Sequence, residues 1–407
     1  MKRIKLLIVI MFMSVANLQA VEYVMLNDLD TTKLPEIKTT SYGGEILRAV
    51  LGGDLMWEGL RLYLASYDYS CVGIFKALKL LEITASSQMV DIPCAYKSTT
   101  PQGDSIIVSG AIYLPYNREL KGIVIGNHHT MTADFEAPSN MTQLECMYTI
   151  KGYAVIVPDH VGLGITRDKK YPFMHWRHAA QTSVDMLNCL PELLDYYGYS
   201  YPKDVVVSGY SLGGTLAFGV TRYLEELNGE WSVRKLYAGS AAYDPTIMVD
   251  HCIKQDSIAI PAILPLTVMG LGDAYELDFT IEDFFQEPLK SNYDNWMTAK
   301  IYTFEEITDS IGTSYLSEIF QPILFDKTNP KVIQLYEALE DNNLVGYDLK
   351  TPAYFFHSVD DQTVPFATSK ALRENMPNNE NKEYDFDAHF QHVEGAVRFL
   401  KHVYQEL

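Results

Sequence analysis

The chain has 407 residues, of which 47 % are hydrophobic, 12 % aromatic and 21 % charged. This composition is typical of a folded globular protein and excludes a disordered, collagen-like or low-complexity chain. The 32 Lys and Arg against 52 Asp and Glu give a net charge of −20. This charge argues against a nucleic-acid partner or an anionic membrane surface, because both need clustered cations.

The first twenty residues predict a signal peptide. Three cations among the first five residues are followed by an apolar run at residues 6–13 and by small residues up to Ala20. The run is shorter than the roughly 20 residues that span a bilayer, and no later segment is long and apolar enough to do so. We therefore expect an exported protein, secreted or periplasmic, without an integral membrane span.

The next part of the chain is uninformative up to about residue 90, with short helices expected at residues 45–51 and 74–81. Short β-branched runs then alternate with helical patterns. The expected strands cover residues 105–114, 121–126, 153–158, 204–208 and 234–240, and the expected helices cover residues 178–197 and 214–227. Unbroken apolar strands between helices are typical of a parallel sheet covered on both faces, so we predict an α/β domain.

The strand pattern stops over residues 245–348 and then returns. Helical patterns occur in this segment at residues 281–285, 304–311 and 332–339. Strands are expected again at residues 352–357 and 383–387, followed by a helix at 393–404. Because the sheet resumes, a helical cap inserted into one domain is favoured over an independent helical domain. The predicted core therefore comprises residues 21–244 and 349–407.

Residues 209–213 read GYSLG, a match to the GxSxG pattern of a nucleophile elbow. The pattern alone is weak, but here it directly follows an apolar strand and opens a helical run. Glycines two positions before and after the serine allow strand and helix backbones to pass closely. We therefore predict Ser211 as the nucleophile, with the backbone N–H of Leu212 as one oxyanion donor.

A serine nucleophile needs a base and an orienting acid, which follow it in the order acid, then histidine, in this arrangement. Asp360 and Asp361 follow the strand at 352–357, and His389 and His392 follow the strand at 383–387. Strand ends of a parallel sheet meet at one edge, where such groups can act together. The residues alone leave both acids open, while a loop of four residues before His392 favours it over His389.

A second oxyanion donor is expected in the loop after the strand at 121–126. The backbone N–H groups of Thr130 and Met131 are the best placed there.

Several segments resemble secretory-lipase-like α/β-hydrolases, and the resemblance extends over roughly residues 95–405. These segments are SGAIYLP at 109–115, GYAVIVPDHVGLG at 152–164, YPF at 171–173, DML at 185–187, GYSLGG at 209–214 and DQTVP at 361–365. The resemblance implies an α/β-hydrolase fold with a mostly parallel sheet, helices on both faces and an inserted helical cap. It also implies a triad of Ser211, Asp361 and His392 that acts on carboxylic esters.

One departure from the family pattern lies in the expected oxyanion loop. The family reads HGT where this chain reads His128-His129-Thr130, with histidine in place of glycine. The departure affects which backbone N–H of this loop donates to the oxyanion. Thr130 remains the expected donor.

Three functions remain open on the sequence. The first is a secreted serine hydrolase that cleaves carboxylic esters through an acyl-enzyme, with a small-molecule ester as its partner. The second is a peptidase or aminoacyl-amide hydrolase of the same fold, and the third is a non-catalytic binding protein. A complete set of nucleophile, acid and histidine argues against the third. No additional domain or acidic amine-anchoring site is recognisable that would favour the second.

No cofactor or metal is expected. A serine triad needs none, and no phosphate-binding glycine motif is present. The cysteines are widely spaced, and the adjacent His128 and His129 would point to opposite faces of a strand. The aromatic residues of the predicted cap suit either an apolar acyl pocket or the cap's own core; they are Phe279, Phe284, Phe285, Tyr293 and Trp296.

Overall fold

The strands of the chain form one mixed sheet in the computed structural model, which describes residues 21–29, 39–41, 88–116 and 119–407. The strands are β1 (Val24–Met25), β2 (Thr39–Ser41), β3 (Gln88–Thr99), β4 (Ser105–Pro115), β5 (Gly122–Asn127), β6 (Tyr153–Pro158), β7 (Asp204–Tyr210), β8 (Ser232–Gly239), β9 (Ala353–Ser358) and β10 (Lys382–Ala388). The predicted signal peptide and the helices expected at residues 45–51 and 74–81 lie outside the described residues.

The sheet is mostly parallel. Its order is β1-β3-β4-β6-β5-β7-β8-β9-β10, with β2 paired to β3. Among the described strands, six of the nine pairs are parallel, and β4 runs antiparallel to both β3 and β6. The carboxyl ends of β5, β7, β9 and β10 therefore meet at one edge, where the predicted site residues follow them.

Helices accompany the sheet along the described part of the chain. They are α1 (Trp176–Tyr196), α2 (Leu212–Leu227), α3 (Pro245–Gln255), α4 (Ile263–Ala274), α5 (Ile281–Phe284), α6 (Leu289–Tyr293), α7 (Phe304–Ile311), α8 (Leu316–Ile319), α9 (Pro330–Asp341), α10 (Ala367–Asn375) and α11 (His392–Glu406). Short 3-10 turns occupy Leu26–Asp28, Asp134–Glu136, Leu144–Lys151, Gly164–Thr166 and Pro322–Phe325, and a π turn occupies Asp294–Thr298. Within the described ranges, every helix is too short or too polar to cross a membrane.

The two faces of the sheet bury different cores because successive strand residues point to opposite sides. In β5, Ile123 and Ile125 join the core formed with α1, α2 and the inserted helices. Val124 instead packs on the other face, with α11 and the turn at Leu144–Lys151. Helices thus cover both faces, as predicted.

The strands and helices expected from about residue 105 onward are observed with bounds that differ by no more than about two residues at either end. The elements that the sequence interpretation missed are β1, β2, β3, α3, α4, α6, α8 and α10. Pro93 inside β3 weakens the strand pattern because a proline cannot donate to the ladder. Almost every residue of α4 is apolar and buried, so its sequence carries no helical period.

Residues 245–348 run from α3 to α9 between β8 and β9. Their large aromatic side chains pack on one another: the Phe285 ring lies 5.3 Å from the Tyr293 ring and 5.2 Å from the Phe320 ring. Both phenylalanines are fully buried. The aromatic residues of this segment were expected either to line an acyl pocket or to form the segment's own core. These contacts favour the second role.

Lys300 joins this inserted segment to the loop that follows β6. Its buried ammonium donates to the carbonyl oxygens of Arg167 at 2.9 Å and Lys169 at 2.5 Å. Its own carbonyl accepts from the N–H of Asp134, in the loop after β5, at 2.8 Å. Burial lowers the pKa of Lys300 to about 8, so the side chain is still largely protonated at pH 7. The segment is therefore fastened to two loops at the carboxyl edge of the sheet.

Candidate active site

Ser211 occupies a strained turn between β7 and α2. Its φ of 61° and ψ of −126° lie outside the regions that L-residues favour. A Cβ at Gly209 would approach the carbonyl oxygen of Gly213 to 2.0 Å, and one at Gly213 would approach that of Asn127 to 2.0 Å. Only glycine fits at these two positions, which explains the glycines of the GxSxG pattern. The turn presents the Ser211 hydroxyl at the edge of the sheet.

His392 is the first residue of α11, and its ring reaches the serine. Its Nε2 lies 2.9 Å from the Ser211 Oγ, and its Nδ1 lies 2.6 Å from Oδ2 of Asp361. The Tyr210 hydroxyl donates to the carbonyl oxygen of His392 at 2.7 Å, and the two rings are 5.1 Å apart. Contacts to both the backbone and the ring thus fix the position of His392.

Asp361 is buried in the turn after β9. Its Oδ1 accepts the backbone N–H groups of Thr363 and Val364, each at 2.9 Å, which leaves Oδ2 for His392. Burial raises the pKa of this carboxyl, but the neighbouring His392 and His357 outweigh that effect and hold the pKa well below its usual range. Asp361 therefore stays ionised and accepts the Nδ1–H of His392. Nε2 is then free to take a proton from the serine hydroxyl.

The other acid and histidine form a separate pair. Oδ2 of Asp360 lies 2.9 Å from Nδ1 of His389, and both side chains are mostly exposed. The structure therefore brings Ser211, Asp361 and His392 together and keeps Asp360 and His389 apart from them. Asp360 and Asp361 are neighbours whose side chains point in different directions, and Asp361 is the one that contacts His392.

The expected oxyanion donors lie close to the nucleophile. Leu212 is the first residue of α2, where backbone N–H groups have no partner inside the helix. Thr130 lies in the loop after β5 and lines the same cavity as Ser211. The packing of Gly213 against the carbonyl groups of Asn127 and His128 brings this loop against the start of the helix.

A cavity of about 50 Å³ opens at Ser211 and His392. Its other lining residues are His129, Thr130, Tyr210, Ile260, Ile263, Phe304, Thr363, Val393 and Ala396. Ile260, Ile263 and Phe304 come from the inserted segment, and sequence reasoning did not single them out. All three are apolar residues, but apolar character in the sequence cannot tell a cavity wall from a packed core.

Two of the segments that resemble the hydrolase family build a buried carboxylate network. Asp159 accepts the hydroxyl groups of Ser109 and Ser139, each at 2.5 Å, and the backbone N–H of Ser139 at 2.8 Å. Burial raises its pKa to about 6 against these stabilising bonds. A Cβ at Gly164 would come within 2.0 Å of the carboxylate. The PD and GLG positions at 158–164 are thus explained by packing.

Metal-ligating side chains do not converge in this region: no group of three or more His, Cys, Asp or Glu within the described residues is arranged to hold a metal ion.

No protein family model matches the sequence, and no curated protein matches it. Solved structures do resemble the fold. A Legionella pneumophila protein, proposed to be a hydrolase, has a TM-score of 0.70 at 21% identity, covering 79% of this chain and 88% of that one. The rice cell wall degrading esterase LipA from Xanthomonas oryzae has a TM-score of 0.65 at 18% identity, with coverage of 78% and 89%.

Candida antarctica lipase A is also similar, with a TM-score of 0.54 at 15% identity, covering 79% of this chain and 78% of the lipase. At identities this low, the similarity shows a shared fold and nothing more. These similar structures, together with the mostly parallel sheet and its helices on both faces, confirm the prediction that this chain has the α/β-hydrolase fold.

Proposed function

We propose that this protein is a serine hydrolase that cleaves carboxylic esters. The observation that carries the proposal is the chain of contacts from Ser211 Oγ to His392 Nε2 at 2.9 Å and from His392 Nδ1 to Asp361 at 2.6 Å. These contacts lie at a cavity of about 50 Å³ whose walls include Ser211 and His392. The esterase and the lipase among the similar folds give the proposal further support.

The reaction follows from the roles of these groups. The Ser211 oxygen attacks the acyl carbonyl while Nε2 of His392 takes the hydroxyl proton, and Asp361 stabilises the imidazolium that forms. The backbone N–H groups of Leu212 and Thr130 donate to the oxyanion. His392 then gives its proton to the leaving alcohol. Water, activated by the same histidine, releases the acid from the acyl-enzyme.

The lining of the cavity favours ester hydrolysis over peptidase activity. Most of the described residues that line the cavity are apolar, and none of them is a carboxylate that could hold a free amino group. A non-catalytic binding protein would not need a buried, ionised Asp361 aligned with His392 and Ser211.

Ser211→Ala should abolish nearly all hydrolysis of p-nitrophenyl esters because the nucleophile is removed. Labelling by a fluorophosphonate should disappear with it, while the melting temperature stays close to that of the wild type. Ser232→Ala, at the exposed start of β8, is the matched control and should keep labelling and activity. Substantial turnover by Ser211→Ala would contradict the proposal.

His392→Ala should lower kcat by several orders of magnitude, comparable to the loss of Ser211, since triad members act as a unit. His389→Ala should cost about tenfold at most, because its ring contacts the exposed Asp360. Both variants are to be measured on one ester. The reverse ranking would assign the base to His389.

Phe304→Ala should enlarge the cavity and shift preference toward longer acyl chains, since this side chain forms part of the wall. We expect changes in relative kcat/KM that correspond to about 1–3 kcal/mol, measured on p-nitrophenyl esters from acetate to palmitate. Phe325→Ala, on an exposed side chain of the same segment, is the control. An unchanged chain-length profile, or an equal shift in both variants, would show that the segment does not select the acyl group.

We further propose that residues 1–20 direct export and are then removed, on the strength of their basic start and apolar run. N-terminal sequencing of the protein recovered from periplasm or medium should begin near residue 21. Recovery of the protein in the cytoplasm with an intact Met1 would contradict export.

A further inference from the structure

The cavity at Ser211 has two kinds of lining. One is apolar, and three of its members, Ile260, Ile263 and Phe304, come from the inserted segment. The other consists of polar side chains outside the triad, His129, Thr130 and Thr363. A simple alkyl ester would leave those polar groups without a partner.

The His129 ring is unusual among the histidines around the site. Within the described residues it makes no hydrogen bond, and the same is true of the hydroxyl groups of Thr130 and Thr363. By contrast, both ring nitrogens of His128 and of His357 lie within hydrogen-bond distance of protein atoms. The ring is half-buried, so water can meet its hydrogen bonds in the free protein. A substrate that displaces this water leaves the imidazole without a partner unless the substrate supplies one.

The His129 ring is uncharged at neutral pH. Burial and repulsion from the nearby His392 lower the pKa of His129 to about 4. A neutral imidazole has one N–H donor and one nitrogen acceptor. It therefore offers no charge to a carboxylate or a phosphate, but it matches a hydroxyl group, which can both accept and donate.

His129 shares the cavity with the histidine that would protonate the leaving group. His129 and His392 line the same cavity, and His392 is one of the groups that lower the pKa of His129. His392 must face the leaving oxygen to protonate it. A side chain beside His392 is accordingly near the alcohol portion of the ester, whereas the apolar wall suits the acyl portion.

We infer that His129 is a specificity-determining residue that hydrogen-bonds a hydroxyl group on the alcohol portion of the substrate. The favoured substrates are then esters of an apolar acid with a hydroxylated alcohol, such as a polyol. This inference rests on the proposed ester hydrolase function.

The test compares two esters that differ only in this hydroxyl. 2-Hydroxyethyl acetate and propyl acetate share the acyl group, and a hydroxyl in one replaces a methyl in the other. The measured quantity is the ratio of their kcat/KM values. We expect the wild type to favour the hydroxylated ester by about tenfold or more, the size of one net hydrogen bond.

His129→Phe should bring the ratio near one because it keeps a ring without donor or acceptor. His129→Gln should restore much of the preference, since its amide supplies both. His389→Phe, the matched control on an exposed histidine, should keep the wild-type ratio. If His129→Phe fails to fold, His129→Gly carries the same expectation of a lost preference.

A wild-type ratio near one, or an unchanged ratio in the folded His129→Phe or His129→Gly variant, would overturn the inference. Hydrolysis of p-nitrophenyl acetate that depends on Ser211 separates this failure from a wider one. If that hydrolysis persists, only the role of His129 is wrong. If the wild type hydrolyses none of the three esters, both the proposed function and the inference fail.

Discussion

The close approach of two backbone segments determines the geometry of the whole site. The start of α2 passes the end of β5 so tightly that a side chain at Gly213 would collide with the carbonyl oxygen of Asn127. This contact brings the loop containing Thr130 against the N-terminus of the helix, beside Ser211. The strain in the serine's backbone is maintained because the surrounding sheet and helix leave the turn no alternative conformation.

The sequence predicted the features that local patterns encode. Strand and helix periodicity predicted most of the elements, the GxSxG turn predicted Ser211, and the loop length after the last strand favoured His392. Asp361 was chosen only through the family resemblance. The residues could not by themselves separate Asp361 from Asp360, because neighbouring side chains differ only in direction. Nor could they reveal the cavity wall at Ile260, Ile263 and Phe304, which depends on how a distant segment packs over the sheet.

The segments that carried the family resemblance differ in their physical roles. Some shape the site, such as the elbow and the turn at Asp361. Others are structural, as at Asp159, where a buried carboxylate accepts three hydrogen bonds from Ser109 and Ser139. Resemblance at such positions reflects what the fold needs to bury a charge, and therefore says more about architecture than about substrate. This agrees with similar structures that share the fold at 15–21% identity.

The attachment of the inserted segment has a consequence for access to the cavity. Besides the bonds of Lys300, the Thr132 hydroxyl donates to the carbonyl oxygen of Tyr302 at 2.8 Å. Thr132 lies two residues from Thr130, and Tyr302 lies two residues from Phe304, so the loop at the nucleophile and the cavity wall are coupled mechanically. An outward displacement of the wall at Phe304 would therefore break this hydrogen bond and those of Lys300, or carry the loop with it.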